Sequence, residues 1–103
     1  MRLCYRVTLE SPLGPRPGFL RLEFLDGRIG GTLSLLGFDN NISGRRLDGN
    51  RLVLTHSLRT AVSVLPCEST LEWNGSALTG TTRTAGEQLS WRGELLETSE
   101  KGD

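Results

Sequence analysis

One histidine and two cysteines are the side chains in this sequence best suited to soft-metal binding or to nucleophile–base chemistry near neutral pH. His56 is the only residue whose ordinary pKa lies between pH 5 and 8, so any acid–base role falls to it or to a carboxylate in an unusual setting. Metal ligation needs several donors at short spacings. Cys4 and Cys67 stand in opposite halves of the chain, and neither C-x-x-C nor H-x-x-x-H occurs. The sequence therefore predicts no metal and no cofactor. No G-x-S-x-G elbow marks a serine nucleophile. A Cys4–His56 dyad would require the first and fifth strands to approach one another. Gly30-Gly31 makes no phosphate loop, because that loop needs a strand feeding a helix. Glu23 and Glu72 alternate against apolar neighbours and read as outward, solvated carboxylates.

Four residues remain as candidates for contact with a ligand: His56, Trp91, Trp73 and Tyr5. His56 shares an alternation face with Leu52, Leu54 and Leu58. If that face points inward, the imidazole lies in or at the mouth of a barrel, and a hydrogen-bonded structural histidine is its plainest role. Trp91 alternates with Leu89, Gly93 and Leu95, a core pattern. Tyr5 alternates with Leu3, Val7 and Leu9. An indole or phenol on an apolar face packs first and offers its polar tip second.

The elements that must position these residues are strands. Apolar residues recur with period two along nearly the whole chain, and no long segment has helical periodicity. Leu3 to Leu9 alternates, Pro12 to Gly18 reads as a Pro- and Gly-rich loop, and Leu20, Leu22 and Phe24 resume the pattern. Asp26-Gly27 is a two-residue hairpin signal, since such turns need positive φ. Ile29–Leu36 is the next strand, Gly37 to Asn41 a turn, Ile42–Leu47 a short strand and Asp48-Gly49-Asn50 another turn. Leu52–Leu58 follows, and Pro66 breaks the stretch after it. Ser69–Trp73 is a strand, Asn74-Gly75 a second hairpin signal, and Leu78–Thr84 and Gln88–Leu96 complete the set. The count is eight.

Short connections make sequential strands neighbours, and closing the sheet removes its two edges. The predicted fold is all-β: one domain over 1–103, an eight-stranded antiparallel up-and-down meander barrel of lipocalin or calycin type, with a polar tail at 99–103. The in-strand glycines Gly31, Gly44, Gly80 and Gly93 fit the tight bends that closure needs. A shift of 49 residues lays the chain on itself without gaps. Leu22-Glu23-Phe24 then meets Leu71-Glu72-Trp73, Gly31-Thr32 meets Gly80-Thr81, and Gly44 meets Gly93. The expectation is a two-fold repeat with halves near 1–49 and 50–98, each unable to bury its face alone.

Twelve basic and twelve acidic residues cancel, so nothing steers a polyanion toward this chain and no nucleic-acid partner is expected. Arg45-Arg46, the only adjacent basic pair, reads as a solvated strand or turn. Lys101 is the only lysine. Arg6 interrupts any apolar leader, and no run of about 20 apolar residues could form a membrane helix. The default expectation is a cytoplasmic protein with reduced thiols and no membrane partner.

The stretch Phe19 to Gly31, with its Asp26-Gly27-Arg28-Ile29 turn and paired glycines, is similar to the GrlR-type negative regulators of type III secretion. The wider run from Thr8 to Leu33 resembles uncharacterised single-domain bacterial barrels. That resemblance implies a lipocalin-like eight-stranded barrel, often dimeric, that acts by protein binding without catalysis. Its regulators meet their partner through an acidic surface loop. The nearest loop here, Asp39-Asn40-Asn41, carries one charge, so the regulatory role is not carried over. The sequence thus favours a noncatalytic barrel that binds a small apolar or amphipathic ligand, a protein partner or a second copy of itself. The alternatives are an enzyme with a site around His56 at the barrel mouth, or a structural subunit. The two irregular segments, Ser11 to Pro17 and Thr60 to Leu65, are the expected flanks of a site, because long connections carry function more often than tight turns.

Overall fold

A computed structural model of the chain describes residues 2–11, 14–59, 62–74, 76–84 and 86–99. Period-two alternation lets each segment bury one face, and the segments become eight strands. These are β1 (Arg2–Ser11), β2 (Gly14–Leu25), β3 (Arg28–Leu35), β4 (Phe38–Arg46), β5 (Arg51–Arg59), β6 (Val64–Asn74), β7 (Ala77–Thr84) and β8 (Glu87–Ser99). Each pairs antiparallel with the next, and β8 returns to β1, closing the barrel in meander order. Among the described residues no helix is long and apolar enough to cross a membrane.

The inward face is apolar over most of its area. Leu3, Tyr5, Val7 and Leu9 of β1 are buried, as are Leu52, Leu54 and Leu58 of β5 on the opposite wall. Side chains that fill a barrel this narrow need the strands to coil tightly. Gly31 and Gly80 permit that: a Cβ there would lie 1.9 Å from the Arg21 carbonyl oxygen and 2.2 Å from that of Thr70. The seam between β1 and β8 carries a bulge. Tyr5 faces Leu95 and Cys4 faces Glu97, so Leu96 is the extra residue.

Several strands run further than the sequence pattern indicates. Gly14 to Gly18 is not a loop but the start of β2, paired with Val7 to Ser11. β3 stops at Leu35 opposite Gly18, so Pro15 and Pro17 lie past it and their missing N–H groups cost no ladder bond on that side. Pro66 likewise sits inside β6, opposite Ser57 and beyond the first β6–β7 pair, Glu68 with Arg83. Phe38 to Asn41 is strand, not turn, because Leu36-Gly37 turns the chain alone with φ of 58° and 83°. β8 extends past Leu96 to Ser99 because Arg2, Leu3 and Cys4 continue to offer it partners. Pro12, Leu13, Thr60, Ala61 and Gly75, which fall in expected loops and turns, lie outside the described residues, as does the tail from 100 to 103.

The odd-numbered strands all start at one end of the barrel, here the lower end, and finish at the upper end. The β1–β2 and β5–β6 connections therefore share the upper end. The 49-residue shift also relates strand bounds: β3 and β7 coincide at both ends under it.

Candidate functional site

The barrel holds two groups of candidate side chains. The first runs across β5 to β8 toward the upper end. Cross-strand pairing sets His56 and Ser69 on adjacent strands and Thr82 and Trp91 on the next two, all facing inward. His56 Nε2 lies 2.7 Å from Ser69 Oγ, which lies 2.6 Å from Thr82 Oγ1, and the Trp91 indole N–H donates to Thr82 Oγ1. His56 Nδ1 lies 3.1 Å from the Ser57 carbonyl oxygen. A carbonyl only accepts, so Nδ1 carries the proton and Nε2 accepts from the Ser69 hydroxyl. Thr82 accepts from the indole, which can only donate, and so passes its own proton to Ser69. Every donor in this chain points the same way, from Trp91 to Ser57.

That order has a chemical consequence. A hydroxyl donating to an imidazole at 2.7 Å is the pairing that activates a serine nucleophile. Here it is sealed, with Ser69 at 0 % and His56 at 6 % exposure. Burial pushes the His56 pKa below the ordinary histidine value, and the backbone carbonyl of Ser57 only partly opposes this. Protonated His56 would donate from both nitrogens and turn Ser69 against its neighbours. The indole of Trp91 meets the imidazole edge-on at 6.0 Å. Under the 49-residue shift these four positions correspond to Val7, Leu20, Leu33 and Ile42, an apolar set. Above them, Thr84 donates to the Pro66 carbonyl, and the Cys67 thiol, raised in pKa by burial, donates to that of Leu65.

The second group closes the lower end. Phe24 ends β2 and Trp73 ends β6, on opposite walls, and their rings meet across the mouth with centroids 5.4 Å apart and planes 28° from parallel. Both are half-buried against the core. Arg46, at the end of β4, lays its guanidinium over both rings, 5.9 Å from the Phe24 centroid and 5.2 Å from that of Trp73. Arg46 is exposed, as the sequence reading of Arg45-Arg46 expects, and its solvated guanidinium rests on the rings. Tyr5 is wholly buried, and its hydroxyl makes no well-aligned hydrogen bond among the described residues. Burial raises its pKa above the ordinary phenol value, an effect partly opposed by a weak hydrogen bond with the Trp73 side chain.

The structure thus joins His56 to Trp91 and Tyr5 to Trp73, and it sets these two pairs in separate groups. Cys4 faces outward from β1 and His56 inward from β5, so they form no dyad. Side-chain type alone does not mark Ser69, Thr82, Phe24 or Arg46 as site residues. The alternation places Ser69 and Thr82 inward, and the 49-residue shift already lays Phe24 on Trp73. Surface depressions of about 400 and 290 Å³ open outward beside Gly31 and Gly80. Among the described residues no cluster of three or more His, Cys, Asp or Glu side chains is placed to hold a metal.

No protein-family model matches the chain, and no curated protein does. Among solved structures it is similar to the redesigned β-barrel mFAP1 bound to DFHBI, with a TM-score of 0.68 and 10 % identity over 91 % of this chain and 92 % of that one. At that identity the likeness shows the eight-stranded barrel fold alone.

Proposed function

We propose that this protein is a noncatalytic barrel that binds a small amphipathic molecule at its lower mouth. The observation that carries the reading is the Tyr5 hydroxyl, fully buried beside the Phe24–Trp73 pair with no well-aligned hydrogen bond and only a weak one with the Trp73 side chain. A buried hydroxyl left unpaired costs about 1–3 kcal/mol, so one so poorly satisfied is a natural anchor for a polar group of a guest. The aromatic pair supplies apolar contact and Tyr5 supplies one polar anchor, the combination typical of small-molecule sites. The structural neighbour mFAP1 is itself bound to DFHBI, which supports the idea that a barrel of this shape accepts such a guest. The sealed state of Ser69 and His56 supports a noncatalytic role, because a nucleophile must reach its substrate.

The test is a thermal-shift screen of small amphipathic molecules on the wild type, Tyr5→Phe and Trp73→Leu. Hits should stabilise the wild type and lose most of their shift in both variants, while Tyr5→Phe alone raises the ligand-free stability by about 1 kcal/mol. Hits indifferent to both substitutions would overturn the lower-mouth site. A turnover abolished in folded His56→Ala would overturn the noncatalytic reading.

A further inference from the structure

We infer that the upper tip of the β5–β6 hairpin is a flap that His56 latches shut at neutral pH and releases on taking a proton. The inference is independent of the lower-mouth binding reading.

The register sets the tip apart. Among the described residues the uppermost pair between β4 and β5 is Ile42 with His56, and that between β6 and β7 is Glu68 with Arg83. β5 and β6 stay paired to one another beyond both points, as far as Arg59 with Val64. Residues 57–59 and 64–67 thus stand above the described ladders to either neighbour, and side chains tie them to the wall. Asn40 Oδ1 accepts from the Arg59 amide at 3.2 Å, the Arg59 guanidinium lies 5.9 Å from the Phe38 centroid, and Thr84 Oγ1 donates to the Pro66 carbonyl at 2.9 Å. The tip keeps Leu58 and Cys67 buried. A segment tied by side-chain bonds opens at lower free energy than the ladders beneath it. His56 and its ladder partner Cys67 mark the hinge line.

The hydrogen-bonded chain makes that hinge sensitive to a proton. Neutral His56 accepts from Ser69 at Nε2 and donates from Nδ1 to the carbonyl of Ser57, the first residue of the tip. A proton on Nε2 would point at the hydrogen that Ser69 already holds there. Ser69 can turn its hydrogen toward Thr82, but Thr82 must then turn its own away, and the Trp91 indole beyond it only donates. The added proton therefore enters a chain with one acceptor too few. It also meets no counter-ion. The ionisable side chains on the other inward positions are Tyr5 of β1, Arg16 of β2, Arg46 of β4 at the lower mouth, Cys67 of β6 and Glu87 of β8, exposed at the upper rim. None of them ion-pairs with His56 among the described residues. A buried cation is relieved by water, and lifting the tip at the hinge admits it. Burial holds the imidazole pKa below its ordinary value, so the latch stays closed through neutrality and release falls below about pH 6.5.

Thiol labelling reads the tip directly. In Cys4→Ser, Cys67 is the only thiol, and its protection is its labelling rate by 4,4′-dithiodipyridine set against that of free cysteine at the same pH. That protection should fall roughly tenfold or more from pH 7 to 5, with the midpoint of the His56 imidazole titration followed by NMR. In His56→Gln, with the fold checked by circular dichroism, it should stay level. Amide hydrogen exchange on the wild type, corrected for its intrinsic pH dependence, separates a flap from loss of the whole barrel. The Arg59 amide should lose protection at the imidazole midpoint while the amides of β1 and β2 keep theirs. This measurement needs no variant, so it decides the matter even where His56→Gln does not fold. Cys67 equally protected at both pH values, the same acid loss in His56→Gln, a midpoint apart from that of the imidazole, or equal losses at Arg59 and throughout β1 and β2 would each overturn the flap.

Discussion

Thr82→Val tests whether the inward hydrogen-bonded chain acts as a unit. Valine nearly matches threonine in shape, so little cavity forms and the change isolates the hydroxyl. Thr82 Oγ1 accepts from the Trp91 indole and donates to Ser69, and the site is 1 % exposed. Its loss leaves the buried indole N–H without an acceptor, at about 1–3 kcal/mol, and removes one further bond, worth about 0.5–1.5 kcal/mol. The expected total is about 2–4 kcal/mol. With a urea m-value of about 1–3 kcal/mol/M for a domain of this size, the unfolding midpoint should fall by about 1–2 M at unchanged slope. Thr79→Val, on the exposed face of the same strand, is the control and should stay within about 0.5 kcal/mol. In Thr82→Val/Trp91→Phe the orphaned donor is gone, so the double variant should be more stable than the two single losses predict. A cost at Thr82 no greater than that at Thr79 would refute the claim that the hydroxyl satisfies the indole.

Three other outcomes follow from the same geometry. The His56 pKa is depressed in the folded state, so above about pH 6.5 neither state takes the proton and this group leaves stability flat; as pH falls below 6.5 the unfolded chain takes it first and stability declines, by at most about 1.4 kcal/mol per pH unit. Urea titrations from pH 7 to 5 should show this component in the wild type and not in His56→Gln; an identical acid slope in both would remove His56 as its source. Gly80→Ala should cost about 3 kcal/mol, because its Cβ would meet the Thr70 carbonyl oxygen at 2.2 Å, whereas Gly30→Ala meets nothing within 4 Å and should be near neutral in the same melts. Cutting the chain between Gly49 and Asn50 severs only the β4–β5 turn, so fragments 1–49 and 50–103 should reassemble one to one on mixing, as judged by sedimentation and far-ultraviolet spectra, in keeping with a duplicated four-stranded unit; two fragments that stay unfolded together would count against it.

The barrel was legible because its alternation is clean. Leu3, Tyr5, Val7 and Leu9, or Leu52, Leu54, His56 and Leu58, point one way by parity alone, and the same parity set His56 inside. The errors share a physical origin. Prolines at 15, 17 and 66 punctuate a sequence read locally, but a strand tolerates them where its neighbour has stopped, and that depends on register. Leu36 hid a two-residue turn because nothing in leucine advertises a φ of 58°. The candidate site was legible only in part. Tyr5 and Trp73 stand out as side chains, and Arg46 is the solvated charge the sequence indicates, but its place over two rings is visible only once β2, β4 and β6 end at one mouth. The sealing of His56 depends on Ser69 and Thr82, whose small polar side chains carry no sequence signal beyond their parity.

The seam between β1 and β8 bears on how the chain reaches this state. Every other ladder joins consecutive strands, but β1 gains its second neighbour from β8, the last strand of the barrel in chain order. Until β8 arrives, β1 presents an open hydrogen-bonding edge beside the apolar row Leu3 to Leu9, the arrangement that recruits strands from other chains. Closure across almost the whole sequence is entropically slow, so folding should be rate-limited by this one zipper. The hazard is therefore kinetic and brief: crowding or loss of β8 would promote intermolecular pairing before closure, while the closed barrel, having no edge left to offer, would resist it.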